Sequence, residues 1–252
     1  MTACRRFLLD AALVTVLVPS LSLGQDKPND AIVPAPRDGN WMKRHDSFNE
    51  RVKQGNVDLI FIGDSITQGW EGAGKNVWAD YYAKRNAVNL GIGGDRTQHV
   101  LWRLDHGNID GINPKLAVLM IGTNNSGSNT SGQIAEGVKL IVEKLRAKLP
   151  NTKVLVLAIF PRADNFDAQK NKTEKGTKDD AKRKVNEGAN EIIQKLADNK
   201  MVFYLDIGPK FLAADGTLSR EIMPDLLHLN ETSYRIWAES TEPKVKELMG
   251  EK

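Results

Sequence analysis

Five short apolar runs constrain this chain most: Val57 to Ile62, Ala87 to Leu90, Leu116 to Ile121, Val154 to Ile159 and Val202 to Leu205. Each is continuous rather than alternating, the pattern of strands covered on both faces, and so argues against a sheet with one solvated side. Helical spacing recurs between them over Thr97 to Leu104, Ser131 to Leu149 and Asp179 to Leu196, while Trp41 to Lys53 precedes the set and Glu231 to Leu248 closes it. Connections through helices make right-handed βαβ units and lay helices on both faces of a sheet. The expected fold is therefore α/β, a three-layer α/β/α sandwich around a five-stranded parallel sheet.

The N-terminal region reads differently. Arg5-Arg6 followed by Phe7 to Leu23, interrupted by Asp10 but apolar from Ala11 to Val18, has the basic start and apolar middle of a secretory signal. Ser22 and Gly24 are the small residues of a cleavage site before Gln25. Residues 1–24 are thus expected to be a signal peptide, residues 25–40 a Pro- and Asp-rich linker, and residues 41–252 the folded domain. The apolar run is shorter than the roughly 20 residues a bilayer span needs. An exported mature protein, periplasmic or secreted, without a stable membrane span follows as an expectation.

The charge balance, 35 basic against 32 acidic residues, is too even for a nucleic-acid-binding surface. Asn171 to Lys184 is rich in Lys and Asp, but its mixed signs and lack of interleaved aromatic residues read as a solvated loop and helix start. The single cysteine is Cys4, inside the signal, so the mature chain has neither a thiol nucleophile nor a thiolate metal site. No H-E-x-x-H occurs and the four histidines lack paired ligand spacing, so no metal and no cofactor are expected.

The first strand runs into Gly63-Asp64-Ser65, and ligands bind beyond the carboxyl ends of strands in open parallel sheets. Ser65 is either an N-terminal helix cap or a nucleophile, and a nucleophile needs a base. His45 lies on a helix read as surface-exposed, and His99 and His106 each follow an arginine by three positions, Arg96 and Arg103. His228 differs, because Asp225 precedes it by three positions and can orient its ring within one turn. Two further segments follow strand ends: Gly91-Ile92-Gly93-Gly94-Asp95, where Arg96 breaks a dinucleotide-binding pattern, and Gly122-Thr123-Asn124-Asn125. Each is either a plain turn or a source of donors for a developing oxyanion.

In order, Phe61-Ile62-Gly63-Asp64-Ser65-Ile66-Thr67, Asn89 to Asp95, Gly122 to Asn125 and Asp225-Leu226-Leu227-His228 resemble the four blocks of the GDSL or SGNH hydrolase family. Gly91 to Leu104 and Asp215 to Leu229 are particularly similar to the catalytic subunits of platelet-activating factor acetylhydrolase Ib. The resemblance spans about Val57 to Trp237. It implies a flavodoxin-like sandwich and metal-free ester hydrolysis, with Ser65 as nucleophile, His228 as base and Asp225 as its orienting acid. It also implies an oxyanion hole of the Ser65 N–H, the Gly94 N–H and the Asn124 side chain. The nucleophile is not in G-x-S-x-G, since Thr67 stands two positions after Ser65, which separates the chain from the α/β-hydrolases.

The expected activity is a serine esterase or acyl hydrolase for short-chain esters, acetyl first among them, with carbohydrates as the expected alcohol side. A phospholipid or platelet-activating-factor-like acyl hydrolase is the alternative within the family. A non-catalytic carbohydrate-binding protein on the same scaffold is the alternative from another class. The sequence leaves the oligomeric state open.

Overall fold

A computed structural model describes residues 28–164 and 175–252; the expected signal peptide lies outside them, as does residues 171–174 of the Lys- and Asp-rich stretch. The helices are α1 (Asn40–Lys53), α2 (Ser65–Gln68), α3 (Lys75–Tyr81), α4 (Thr97–Asp105), α5 (Ser131–Lys148), α6 (Ala181–Ile193) and α7 (Glu231–Met249). The strands are β1 (Leu59–Gly63), β2 (Ala87–Gly91), β3 (Leu116–Met120), β4 (Lys153–Leu157), the two-residue β5 (Lys175–Gly176), β6 (Val202–Leu205) and the two-residue β7 (Leu218–Ser219). The main sheet has five strands in the order β2-β1-β3-β4-β6, every pair parallel, while β5 and β7 form a small antiparallel pair. The expected sandwich is the one observed.

Continuous apolar strands suit this position because successive side chains enter opposite cores. Ile60, Ile62, Ala117, Leu119, Val154 and Val156 pack with apolar residues of α1, α4, α5 and α6. Leu59, Phe61, Leu116, Val118, Leu155 and Leu157 point the other way, onto α3 and α7. Phe61 sits among the rings of Trp70, Trp78, Tyr82 and Trp237, at centroid distances of 4.7–6.4 Å. Burying each such large apolar side chain contributes about 1.5–3 kcal/mol, so both faces drive the sheet to form.

Two helices escape the sequence reading. α2 has four residues and α3 seven, of which only Val77 is fully buried, so neither supplies a periodic apolar stripe. The stretch expected to be a linker also differs. From Asn29 to Arg37 it lies along the domain: Thr97 Oγ1 donates to the Ala31 carbonyl at 2.7 Å and the Ala35 N–H to the Gln98 carbonyl at 3.2 Å. Ala31 is fully buried, and Gly137 leaves room for its carbonyl where a Cβ would come within 2.9 Å. Hydrogen bonds to α4 rather than apolar periodicity hold this strap, which is why its composition looks like a tether.

Candidate active site

The sheet order brings the ends of β2, β1 and β3 side by side, and their loops carry the glycine-rich, serine and asparagine segments. β1 ends at Gly63, where a Cβ would collide with Thr67 Oγ1 and the Met120 carbonyl; only glycine lets the chain turn there. Asp64 caps α2, its Oδ1 accepting the Ile66 N–H at 2.9 Å, and Ser65 therefore opens the helix with its side chain at the sheet end.

Ser65 Oγ lies 2.9 Å from His228 Nε2, and His228 Nδ1 lies 2.6 Å from Asp225 Oδ2. The carboxylate accepts, so Nδ1 carries the proton and the Nε2 lone pair faces the serine hydroxyl. Asp225 Oδ1 also accepts the backbone N–H groups of His228 at 2.7 Å and Leu227 at 3.0 Å. This closed turn needs Leu226 in the left-handed region at φ +63°, an uncommon conformation for a leucine. The buried Leu226 is held there by its N–H to the Met223 carbonyl and its carbonyl to the Ala163 N–H. Burial opposes the charged form of Asp225, but its bonds to the His228 ring and the two backbone N–H groups outweigh this and hold its carboxyl below the usual range.

The glycine-rich loop packs against α2. At Gly91 a Cβ would strike the backbone of Thr67 and Gln68, and the Gly93 N–H donates to Gln68 Oε1 at 2.7 Å. Gly94, exposed and left-handed at φ +75°, keeps its N–H unclaimed by any acceptor among the described residues; the same holds for the Ser65 N–H. Asn124 Nδ2 donates to the Asp95 carbonyl at 2.9 Å, which fixes the plane of its amide. All five expected site residues thus gather at one end of the sheet.

Beneath the loops is a buried polar junction that the sequence reading missed. Asp95, fully buried, accepts from Trp41 Nε1 at 2.6 Å and Arg103 Nε at 2.9 Å. Arg103 in turn reaches Asn108 Oδ1 at 2.8 Å. Burial pushes the Asp95 carboxyl up and the Arg103 guanidinium down, while their mutual charge opposes both shifts. His45 is not on an exposed face: it is 3 % exposed, stacked on Trp41 and facing Asn108 and Asn49. Its i,i+4 spacing to Asn49 was the available signal. His99 accepts the Arg96 N–H through Nδ1, and burial, followed by the charges of Arg37, Arg96 and Arg103, lowers it to about 4.

No group of three or more His, Cys, Asp or Glu side chains converges as a metal site among the described residues. The Asn89-containing groove of about 550 Å³ along the free edge of β2 includes neither Ser65 nor His228.

The sequence profile of the GDSL-like Lipase/Acylhydrolase family matches residues 61–236, spanning all four segments. The chain belongs to this family. It is 36 % identical over 212 residues to the platelet-activating factor acetylhydrolase IB subunit alpha1 of Bos taurus, covering 82 % of this chain and 84 % of the relative. It is 33 % identical over 217 residues to subunit alpha2 of Rattus norvegicus, covering 84 % and 88 %. A GDSL-like lipase from Bacteroides thetaiotaomicron has the same fold at TM-score 0.64 and 18 % identity, covering 81 % of this chain and 97 % of that one. This GDSL acylhydrolase is accordingly a hydrolase acting on esters.

Proposed function

We propose that this acylhydrolase is a serine esterase for short acyl esters, acetyl first, with Ser65, His228 and Asp225 as its catalytic triad. The hydrogen-bonded series from Asp225 through His228 to Ser65 carries this reading. Ser65 Oγ attacks the ester carbonyl while His228 Nε2 takes its proton; Asp225 stabilises the imidazolium. Negative charge on the former carbonyl oxygen meets the Ser65 N–H, the Gly94 N–H and Asn124 Nδ2. Collapse of the tetrahedral intermediate breaks the bond to the alcohol, which leaves with the proton from His228. Water, deprotonated by His228, then attacks the acyl-Ser65 ester and releases the acid.

The acetyl preference draws support from the relatives named acetylhydrolases. On the alcohol side we propose a carbohydrate, in keeping with the export signal expected in residues 1–24. The names of the same relatives favour a second reading, a platelet-activating-factor-like phospholipid. Acetate release from acetylated glycans, an alkyl-acetyl phospholipid and aryl acetates, by the wild type and Ser65→Ala, tests both. The glycan reading fails if only the phospholipid and aryl esters are cleaved. The triad fails if Ser65→Ala retains wild-type turnover. Glycan binding without turnover would support the binding-protein alternative. Export predicts an exported mature protein beginning at Gln25, read by mass spectrometry.

A further inference from the structure

We propose that Arg37 is a positioning residue for the oxyanion hole, acting through the Gly93–Gly94 peptide; this rests on the proposed role of the Gly94 N–H. Arg37 Nη1 donates to the Gly93 carbonyl at 2.8 Å. In a trans peptide the carbonyl and the following N–H point in opposite directions, and no cis peptide occurs among the described residues. The group opposite the Arg37 bond is therefore the Gly94 N–H. A guanidinium on the carbonyl fixes the peptide plane, and it polarises the amide so that the N–H becomes a stronger donor.

The surrounding contacts hold this arrangement at both ends of Gly93. Its own N–H is taken by Gln68 Oε1 at 2.7 Å, so neither adjoining peptide turns freely. The Arg37 guanidinium lies over Gly94, its atoms 3.1–3.6 Å from where a Cβ would stand, so a side chain there would press against it. Asp95 Oδ1, 3.6 Å from Nη1, supplies the opposing charge.

Nor does the position of Arg37 depend on a long side chain alone. The strap carrying it is pinned by Thr97 on the Ala31 carbonyl and by Asn129 Nδ2 on Asp30 Oδ1 at 2.6 Å. It precedes the residues that match the family profile, 61–236, so an element outside that segment orients a donor inside it.

Removing an oxyanion donor costs about 100- to 1000-fold in rate; releasing its orientation should cost less, about 10- to 100-fold, and fall on kcat because the bond strengthens in the transition state. The experiment compares the wild type, Arg37→Ala, Arg37→Gln and Ser65→Ala on 4-nitrophenyl acetate, with the Gly94 amide followed by NMR. In Arg37→Ala, kcat is expected to fall by about 10- to 100-fold with KM within about twofold. Arg37→Gln, which donates without charge, should be intermediate, and guanidinium ion at millimolar concentration should restore part of the Arg37→Ala rate. The Gly94 amide proton should move upfield in Arg37→Ala, including in the Ser65→Ala background, where turnover plays no part. A raised KM at unchanged kcat, or an unmoved Gly94 resonance, overturns the proposal. Wild-type turnover that Ser65→Ala does not abolish overturns the esterase reading and the catalytic role together, whereas the Gly94 resonance still reports whether Arg37 holds the peptide.

Discussion

Replacing Asp64 with Asn should make the protein relatively more stable at pH 8 than at pH 4. Asp64 is fully buried; Oδ1 caps the Ile66 N–H, while Oδ2 has no hydrogen-bond partner among the described residues. Burial is the main cause that pushes its carboxyl up to about 7, reinforced by the charge of Asp95 and opposed by the Ile66 N–H, His228 and Arg162. In an unfolded chain the same group titrates near 3.9. Between those two values the folded protein holds a proton that the unfolded chain has released, so stability falls as pH rises through the window and the loss is complete above it. A separation of that size corresponds to about 3–4 kcal/mol between pH 4 and pH 8. Asparagine keeps an acceptor for the Ile66 N–H and never ionises. Urea unfolding of both proteins at the two pH values isolates Asp64 and its coupling to the charges beside it, because titrating groups remote from it cancel in the difference between them. The Asn variant should gain about 3–4 kcal/mol on the wild type from pH 4 to pH 8; a gap that stays constant within about 1 kcal/mol, or moves the other way, refutes the reasoning.

Asp225→Asn should lower kcat by about 10⁴-fold, because the amide can donate to Nδ1 and select the wrong tautomer; steady-state kinetics with an aryl acetate checks it. Asn124→Ala should cost about 100- to 1000-fold in kcat with little change in KM, through loss of a donor held in plane by the Asp95 carbonyl. Trp41→Phe removes the 2.6 Å donor to the buried Asp95 and should destabilise the fold by about 1–3 kcal/mol, measured by urea unfolding. Dialysis against a chelator should leave ester hydrolysis unchanged, as the proposed steps use only side chains and backbone N–H groups; a loss restored by added metal would contradict it.

The sheet was legible because parallel strands covered on both faces must be continuously apolar, and Leu59 to Gly63 or Leu116 to Met120 have no other place to go. Asp225 and His228 were legible because three positions bring two side chains together within one turn. The left-handed Leu226 was not, since no glycine or asparagine announces it and tertiary bonds to Met223 and Ala163 hold it. His45 was misplaced for a related reason: an imidazole between polar neighbours looks solvated until Asn108, 63 residues away, closes over it. Arg37 stands 56 residues from the carbonyl it binds, in a strap without periodicity, and nothing local marks it.

These long-range contacts converge on one device. Asp95 accepts from Trp41 and Arg103 through its side chain and from Asn124 through its carbonyl, while Arg103 Nη2 faces the Gly63 carbonyl at 3.4 Å. The ends of β1, β2 and β3 thus share a single buried anchor. An apolar core of similar volume would often be as stable as a buried ion pair, since desolvation offsets much of the attraction. Directional bonds do what apolar packing cannot: they set the loops in register, so that the Ser65, Gly94 and Asn124 groups proposed as oxyanion donors keep a fixed relation to one another. Preorganisation of that kind is what stabilises a developing oxyanion without reorganisation at the moment of reaction, and under the proposed mechanism it gives the buried Asp95 and Arg103 beneath the glycine-rich loop a role that an apolar core could not fill.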